Sequence, residues 1–317
     1  MVPMRRVAII GGGAWGLALA AAAARAGSDV VVQSRRDLGE SASRGIRVVR
    51  TVAEAARHAR LIVIAAPSSV CRSVARVLGD YVDGSHYVMH GVRGLEGENL
   101  ETISDIIRHE TPVKRTGALG GPALAHDLMD GRPSVLVTGS RFPEVNEAVM
   151  AAFSSSMLRV YSTLDLRGLE WASALAGCLT LAVGYAQALQ MSAGLIAAFI
   201  TRSIDEASRI AAVACGKDTT LLGLAGYGDM LASIAQSERP EILVGAALGR
   251  GLSRDDAINA GGLHIEALDL IPRVADWAEV RGVRAPIFRA LAQSVMKGEP
   301  TDMIVHELMT LPLSIRI

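Results

Sequence analysis

Arg6-Val7-Ala8-Ile9-Ile10-Gly11-Gly12-Gly13-Ala14-Trp15-Gly16 decides the fold: an apolar run enters a glycine cluster that opens onto the alanine-rich residues 17–26. Gly11, Gly13 and Gly16 carry the spacing G-x-G-x-x-G. In it the first glycine makes a tight turn, the second admits a pyrophosphate and the third lets helix pack on strand. The free N–H groups of the helix N-terminus then face the anion. Glycine-rich turns recur in many α/β units, so context carries the reading. Here a strand precedes the cluster, a helix follows, and a second apolar run, Asp29-Val30-Val31-Val32, closes a βαβ unit. The pattern points to a dinucleotide site with Gly11, Gly13, Ala14, Trp15 and Gly16 at the cofactor.

The end of that second strand bears on which dinucleotide. An acid there would hold the ribose 2′-OH of NAD. Gln33-Ser34-Arg35-Arg36 places none at its first two positions and two arginines after them. Arg35 suits a 2′-phosphate, which favours NADP over NAD, although two solvated arginines at a strand end would look the same.

The chain has 317 residues, above the usual single-core size of about 250–300, so two domains are expected. Half of it is hydrophobic, and 32 acids balance 32 bases. Nothing electrostatic draws it to nucleic acid or an anionic membrane. Cys71, Cys178 and Cys215 form no C-x-x-C and leave an odd count, the mark of buried thiols in a reducing compartment. Met1 to Arg6 runs straight into the first strand without a signal peptide, which implies a cytoplasmic protein. Residues 171–201 carry no formal charge over 31 positions, longer than the roughly 20 that a membrane span needs. Ala, Gly, Ser173, Thr180, Gln187, Gln190 and Ser192 fill the stretch, so a buried helix of an all-α domain is expected.

Alternating strands and helices follow the cluster. Residues 51–60 form a short helix, Leu61-Ile62-Val63-Ile64-Ala65-Ala66-Pro67 a buried parallel strand, and residues 87–90 a fourth strand. Pro67 lies at a carboxyl strand end, where ligands sit in open α/β sheets. Residues 116–125 give a fifth strand and turn; residues 134–138 and 158–161 give two more around a helix at 144–153. This is a doubly wound parallel sheet through about residue 162. Beyond Thr163 apolar residues recur at helical spacing, with Gly216, Gly226, Gly245 and Gly282 as punctuation. We expect a dinucleotide-binding domain at 1–163 and an all-helical substrate and dimerisation domain at 164–317, with a cleft between them. A homodimer is plausible for so apolar a helical half.

The residues resemble the bacterial NAD(P)-dependent glycerol-3-phosphate dehydrogenases over nearly the whole chain. Gly11 to Gly16 is similar to the family's G-x-G-x-W-G, Arg93-Gly94-Leu95-Glu96 to K-G-[IL]-E, and Gly120-Gly121-Pro122-Ala123-Leu124-Ala125 to S-G-P-S-F-A. Val160-Tyr161-Ser162 through Glu170 resembles the V-Y…G-V-E entry to the helical domain. Ile200-Thr201-Arg202 resembles I-T-R-G, residues 223–229 G-L-A-G-L-G-D, and Ile265-Glu266-Ala267 the region of V-E-G. The resemblance implies a Rossmann-type domain followed by a helical domain of the 6-phosphogluconate-dehydrogenase-like type. It places Arg93, Pro67, Ala125 and Glu266 at the cofactor. Arg93, Gly121, Ala123, Ala176, Asp229 and Arg239 fall at the substrate.

The departures concern chemistry. The family uses a lysine in G-A-L-K-N as proton acceptor, because burial beside other cations lowers the ammonium pKa enough to trade a proton with the substrate oxygen. Here the stretch reads Ser173-Ala174-Leu175-Ala176-Gly177, and an alanine moves no proton. The second family lysine is Arg93, which keeps the charge and binds anions but holds its proton. The family's S-R-N phosphate grip falls on Arg239-Pro240-Glu241, where a carboxylate would repel a phosphate dianion by at least about 1 kcal/mol. A shifted alignment would instead bring Arg239 itself to the phosphate. G-D-N-A has become Ser192-Ala193-Gly194-Leu195, and the N-x-x-Y-L-P segment after the second strand is absent.

Asp229 could accept the proton directly or through water, though a capping or packing aspartate is the plainer role. His90 ends the fourth strand and titrates in the right range, while a lone histidine is commonly structural. Tyr227 is a further hydroxyl; Tyr185, nine residues past Ala176, is off its helical face. His126, Glu170 and Ser173 complete the candidates. Near the end, the resemblance implies that His264-Ile265-Glu266 touches the cofactor through Glu266, and His306-Glu307 lacks the second histidine of a metal site. These residues point to an NAD(P)-dependent oxidoreductase acting on a small-molecule secondary alcohol or ketone. A phosphorylated or nucleotide-type substrate of a specialised biosynthetic pathway suits the small residues Ala176, Gly177 and Gly194. The alternatives are a cofactor-binding pseudoenzyme that senses or scaffolds, and an ordinary glycerol-3-phosphate dehydrogenase with a relocated proton acceptor.

Overall fold

A computed structural model gives the fold, described for residues 5–39, 45–215, 219–262, 265–297 and 310. The expectations on Met1 to Met4, Gly216, His264, His306 and Glu307 lie outside the described residues. Eight strands form one sheet: β1 (Arg6–Ile10), β2 (Asp29–Gln33), β3 (Ile46–Val49), β4 (Leu61–Ile64), β5 (Tyr87–His90), β6 (Thr116–Gly120), β7 (Ser134–Gly139) and β8 (Leu158–Thr163). Their order is β3-β2-β1-β4-β5-β6-β7-β8. Strand order reverses between β1 and β4, and the carboxyl ends there flank the crevice in which an open α/β sheet receives ligands.

Two details differ from the sequence reading. Ile46-Arg47-Val48-Val49 adds an eighth strand, an edge strand of four residues whose arginine breaks the apolar run that marks its neighbours. The sheet is parallel except at β6 and β7, which pair antiparallel with Ala118 opposite Gly139. The connection between them is short, with a helix of six residues (Ala125–Asp130) that spans about 9 Å.

Alternate residues of β1 feed opposite cores. Val7 and Ile9 pack under the first helix with Leu19, Val30 and Phe153; Ala8 and Ile10 pack on the other face with Ile62, Leu78 and Ile106. The helices of this half are α1 (Ala14–Arg25), α2 (Val52–His58), α3 (Ser68–Gly79), α4 (Ile103–Glu110), α5 (Ala125–Asp130) and α6 (Pro143–Phe153). α2 starts with a capping box: Thr51 Oγ1 accepts from the Glu54 N–H, and Glu54 Oε2 accepts from the Thr51 N–H at 2.9 Å.

The remaining helices are α7 (Leu166–Ala188), α8 (Ala193–Cys215), α9 (Asp229–Ile234), α10 (Pro240–Gly249), α11 (Arg254–Gly261), α12 (Ala267–Val280) and α13 (Pro286–Lys297). The chain forms two compact units, residues 1–97 with 101–173 and residues 98–100 with 174–317. The uncharged stretch 171–201 is divided between α7 and α8, with Gln190 at φ +53° between them. α7 is the one described helix long and apolar enough to cross a membrane, and it is buried. In the second unit α7 and α10 touch backbone to backbone through glycine. A Cβ on Gly245 would lie 2.1 Å from the Leu181 carbonyl oxygen, and one on Gly184 would lie 2.5 Å from that of Ile242. Cys71 and Cys178 are buried as expected; Cys215 is only half buried and donates to the Ala211 carbonyl.

Candidate functional site

The glycines after β1 divide their tasks as the spacing predicts. Gly11 has φ +122°, and a Cβ there would lie 2.2 Å from the Ala65 carbonyl oxygen at the end of β4. Only glycine fits. A Cβ on Gly16 would lie 1.9 Å from the Gly11 carbonyl oxygen, so the helix seats directly on the turn. Gly13 is different: nothing stands within 4 Å of its Cβ position. It caps α1 with extended backbone, has no side chain to cap the helix, and the first turn holds no acid. A crowded turn, an open middle glycine and a helix N-terminus without a capping side chain fit a dinucleotide pyrophosphate.

At the end of β2 the buried Ser34 hydroxyl donates to the Arg36 carbonyl at 3.0 Å and accepts from the Arg36 N–H at 3.1 Å. This tight turn leaves Arg35 exposed, with no ion pair to a described residue. Pro67 is the exposed N-cap of α3, beyond β4.

β5 ends in a buried network. His90 Nε2 faces Glu170 Oε1, and Glu170 also accepts from the Ser104 N–H at 2.8 Å and from the Ser104 hydroxyl at 2.7 Å. His90 Nδ1 accepts from the Val92 N–H at 3.4 Å, which leaves the proton on Nε2. Both ring nitrogens are engaged and the side chain is 1% exposed. The next residue is held as closely: a Cβ on Gly91 would lie 2.5 Å from the Trp15 indole nitrogen, so Trp15 packs over the strand end. Arg93 follows in the same turn, half buried. Ser104 had no signal in the sequence, since 66 residues separate it from Glu170.

β6 ends at Gly120, where a Cβ would lie 2.5 Å from Ser173 Oγ. That hydroxyl is buried without a hydrogen-bond partner among the described residues. Gly121, at φ +94°, turns the chain under Val137; Ala123 is buried and Ala125 opens α5. His126 is exposed and pairs with Asp127 at 3.3 Å.

In the second unit Ala176 is 1% exposed. Gly177 beside it is also buried, yet nothing lies within 4 Å of its Cβ position. Burial pushes the Cys178 thiol well above its ordinary range, which keeps it protonated. Residues 224–228 form a single π-helical turn, a form frequent at functional sites. A Cβ on Gly226 would lie 2.2 Å from the Leu221 carbonyl oxygen, so the turn closes only on glycine. It delivers Asp229, 1% exposed, to the first position of α9, where Gly228 and not Asp229 is the cap. Tyr227 is exposed and Tyr185 buried. Arg239 and Glu241 pair with each other at 3.2 Å, so the acid expected to repel an anion is itself neutralised. Glu266 is the half-buried N-cap of α12.

Residues 6–146 match the NAD-dependent glycerol-3-phosphate dehydrogenase N-terminus family, and residues 165–306 the corresponding C-terminus family. Glycerol-3-phosphate dehydrogenase (NAD(P)+) of Moorella thermoacetica is 30% identical over 322 residues, covering 96% of each chain. The protein of the same name from Psychrobacter cryohalolentis is 30% identical over 302 residues, 90% of this chain and 70% of that one. Among solved structures, glycerol-3-phosphate dehydrogenase from Coxiella burnetii has the same fold, with TM-score 0.90 at 23% identity over 97% of this chain and 99% of that one. A PanE/ApbA family ketopantoate reductase from Ralstonia eutropha is more distant, with TM-score 0.58 at 17% identity over 96% and 99%. Matched in both halves, the chain belongs to the NAD-dependent glycerol-3-phosphate dehydrogenase family.

Proposed function

We propose that the protein is an NAD(P)-dependent oxidoreductase whose substrate is a phosphorylated or nucleotide-type secondary alcohol or ketone larger than free glycerol 3-phosphate. The observation that carries this is the pair Ala176 and Gly177. Where family members resembling it hold a lysine and an asparagine, this chain has a buried methyl group and a glycine with unfilled space beside it. A missing proton handler argues against the ordinary substrate pose, and the added room suits a bulkier one. The mutual pairing of Arg239 and Glu241 supports the same reading, since neither is left as a dedicated phosphate grip.

Gly11, Gly13 and Gly16 would hold the pyrophosphate, Arg35 a 2′-phosphate, and Pro67, Trp15, Ala125 and Glu266 the rest of the dinucleotide, which when bound supplies the hydride acceptor. Arg93 orients the anionic substrate, with Gly121 and Ala123 leaving space for it. Asp229, delivered by the π-helical turn, takes the substrate proton directly or through water. His90 acts one step removed: with both nitrogens engaged, it positions the end of β5. Residues 1–163 serve the cofactor and 164–317 the substrate and a homodimer contact, in a cytoplasmic setting.

Titration with NADH and NADPH, followed by assays on glycerol 3-phosphate and dihydroxyacetone phosphate with and without Ala176→Lys, tests this. Tight NADPH binding with negligible turnover of both small substrates is expected, together with turnover of larger phosphorylated alcohols. Full activity of the unmodified chain on glycerol 3-phosphate would assign it the ordinary reaction with a relocated acceptor. Ala176 also favours a second reading, a cofactor-binding sensor; binding without turnover of any alcohol would select it.

A further inference from the structure

The amino ends of β1, β4 and β5 border an open cavity of about 740 Å³ in the first unit, at the sheet edge opposite the glycine turn. Arginines dominate its rim, and among the described residues no carboxylate lines it. In a chain of zero net charge that is a local excess of positive potential. Asp29 beside it is already committed, pairing with Arg6 at 3.9 Å and with His58 at 3.6 Å, and Glu54, close enough to Arg57 to interact with it, is held by its cap bonds to Thr51. Arg57 at the end of α2 and Arg60 before β4 are exposed and form no ion pair with a described residue. Two exposed guanidinium groups three residues apart present the planar forks that bind phosphate oxygens in pairs.

The rest of the lining is apolar. Alanines and Leu61 form a floor, and Tyr81, 48% exposed, stands beside it with Tyr87. A simple anion would leave this surface idle, whereas a flat aromatic base would cover it. The volume lies within the range of small-molecule sites.

We propose that this cavity binds a nucleoside phosphate, with the phosphate chain on Arg57 and Arg60 and the base against Tyr81 and the alanine floor. A strand of five residues, about 17 Å, separates Arg6 here from the glycine turn beyond Ile10. The two sites therefore fill independently.

Calorimetric titration of the full chain with ATP, at saturating NADPH to occupy the glycine turn, tests the assignment. One ATP per chain is expected. Arg57→Glu with Arg60→Glu weakens ATP at least about tenfold and leaves NADPH affinity unchanged. Both positions are solvent-facing, so the variant keeps its fold, and Tyr81→Ala, expected to weaken ATP several-fold, probes the base separately. Inorganic pyrophosphate and adenosine each bind more weakly than ATP. Displacement of ATP by NADPH, unchanged ATP affinity in the double variant, or pyrophosphate binding as tightly as ATP overturns the proposal. A change confined to the sedimentation coefficient of the double variant also overturns it, by giving this face to a second copy. Should NADPH fail to bind, the comparison of ATP affinity between parent and double variant still decides this site by itself.

Discussion

His90 Nε2 lies 2.9 Å from Glu170 Oε1, with both side chains 1% exposed. Three donors converge on this carboxylate, two of them from Ser104, and together they replace the water it has lost. The network ties the end of β5 to α4 and to the start of α7.

Glu170→Ala strands the Ser104 N–H and hydroxyl and the His90 N–H in a dry interior. We expect a loss of about 3–5 kcal/mol, read from the urea midpoint at unchanged slope. Glu170→Gln retains one acceptor oxygen and is expected to lose roughly half as much. A loss below about 1 kcal/mol for the alanine variant would mean that the network contributes little.

The glycine turn predicts a separation of fold from binding. Gly11→Ala forces a Cβ into the Ala65 carbonyl at φ +122°, and is expected to destabilise by about 3 kcal/mol or more. Gly13→Ala meets open space at φ −81°, so its stability stays within about 0.5 kcal/mol of the parent. NADPH affinity nevertheless falls at least about tenfold, because the methyl group occupies the approach of the pyrophosphate. Thermal melts and cofactor fluorescence titrations distinguish the two variants.

The role proposed for Arg35 is to favour NADPH over NADH. Arg35→Glu is expected to weaken NADPH at least about tenfold while NADH changes less than about twofold, because only NADPH carries the 2′-phosphate. Equal weakening of both would place Arg35 on the shared pyrophosphate instead.

Glu206 on α8 makes stability depend on pH. Its carboxylate accepts the Ile287 and Phe288 N–H groups at 3.0 and 2.7 Å at the start of α13, and burial raises its pKa from an ordinary 4.5 to about 7. Between those values the folded chain keeps a proton that the unfolded chain has released. This group's contribution therefore falls as pH rises from 4.5 to about 7 and levels off above, by roughly 3 kcal/mol in all. Glu206→Gln keeps an acceptor for one N–H and removes the titration. The stability difference between parent and variant should change across that window; a constant difference would show that Glu206 does not titrate there.

Much of this protein is written in short-range patterns. The glycine spacing, the apolar runs of β1, β2, β4 and β5 and the capping box at Thr51 each depend on residues within a few positions of one another, where backbone sterics and burial periodicity act directly. That residue 176 is an alanine is likewise visible without coordinates, since it is a matter of chemical identity. Other features depend on distant chain. β3 is short and its sequence is mixed, and it forms by pairing along β2; β7 runs antiparallel to β6, which no local pattern announces.

The site divides the same way. Sequence named His90, Glu170, Asp229 and Arg239 singly, but the convergence of His90 and Ser104 on Glu170 joins residues 66 and 80 positions apart, and no local pattern encodes it. Arg239 and Glu241 read as a broken anion grip, whereas folding closes them into an ion pair. By itself the sequence determined the glycine turn after β1 and the alanine at position 176, because torsions and side-chain chemistry are local properties. Only the tertiary structure decided which polar groups satisfy one another and which space stays open, because those follow from where remote segments pack.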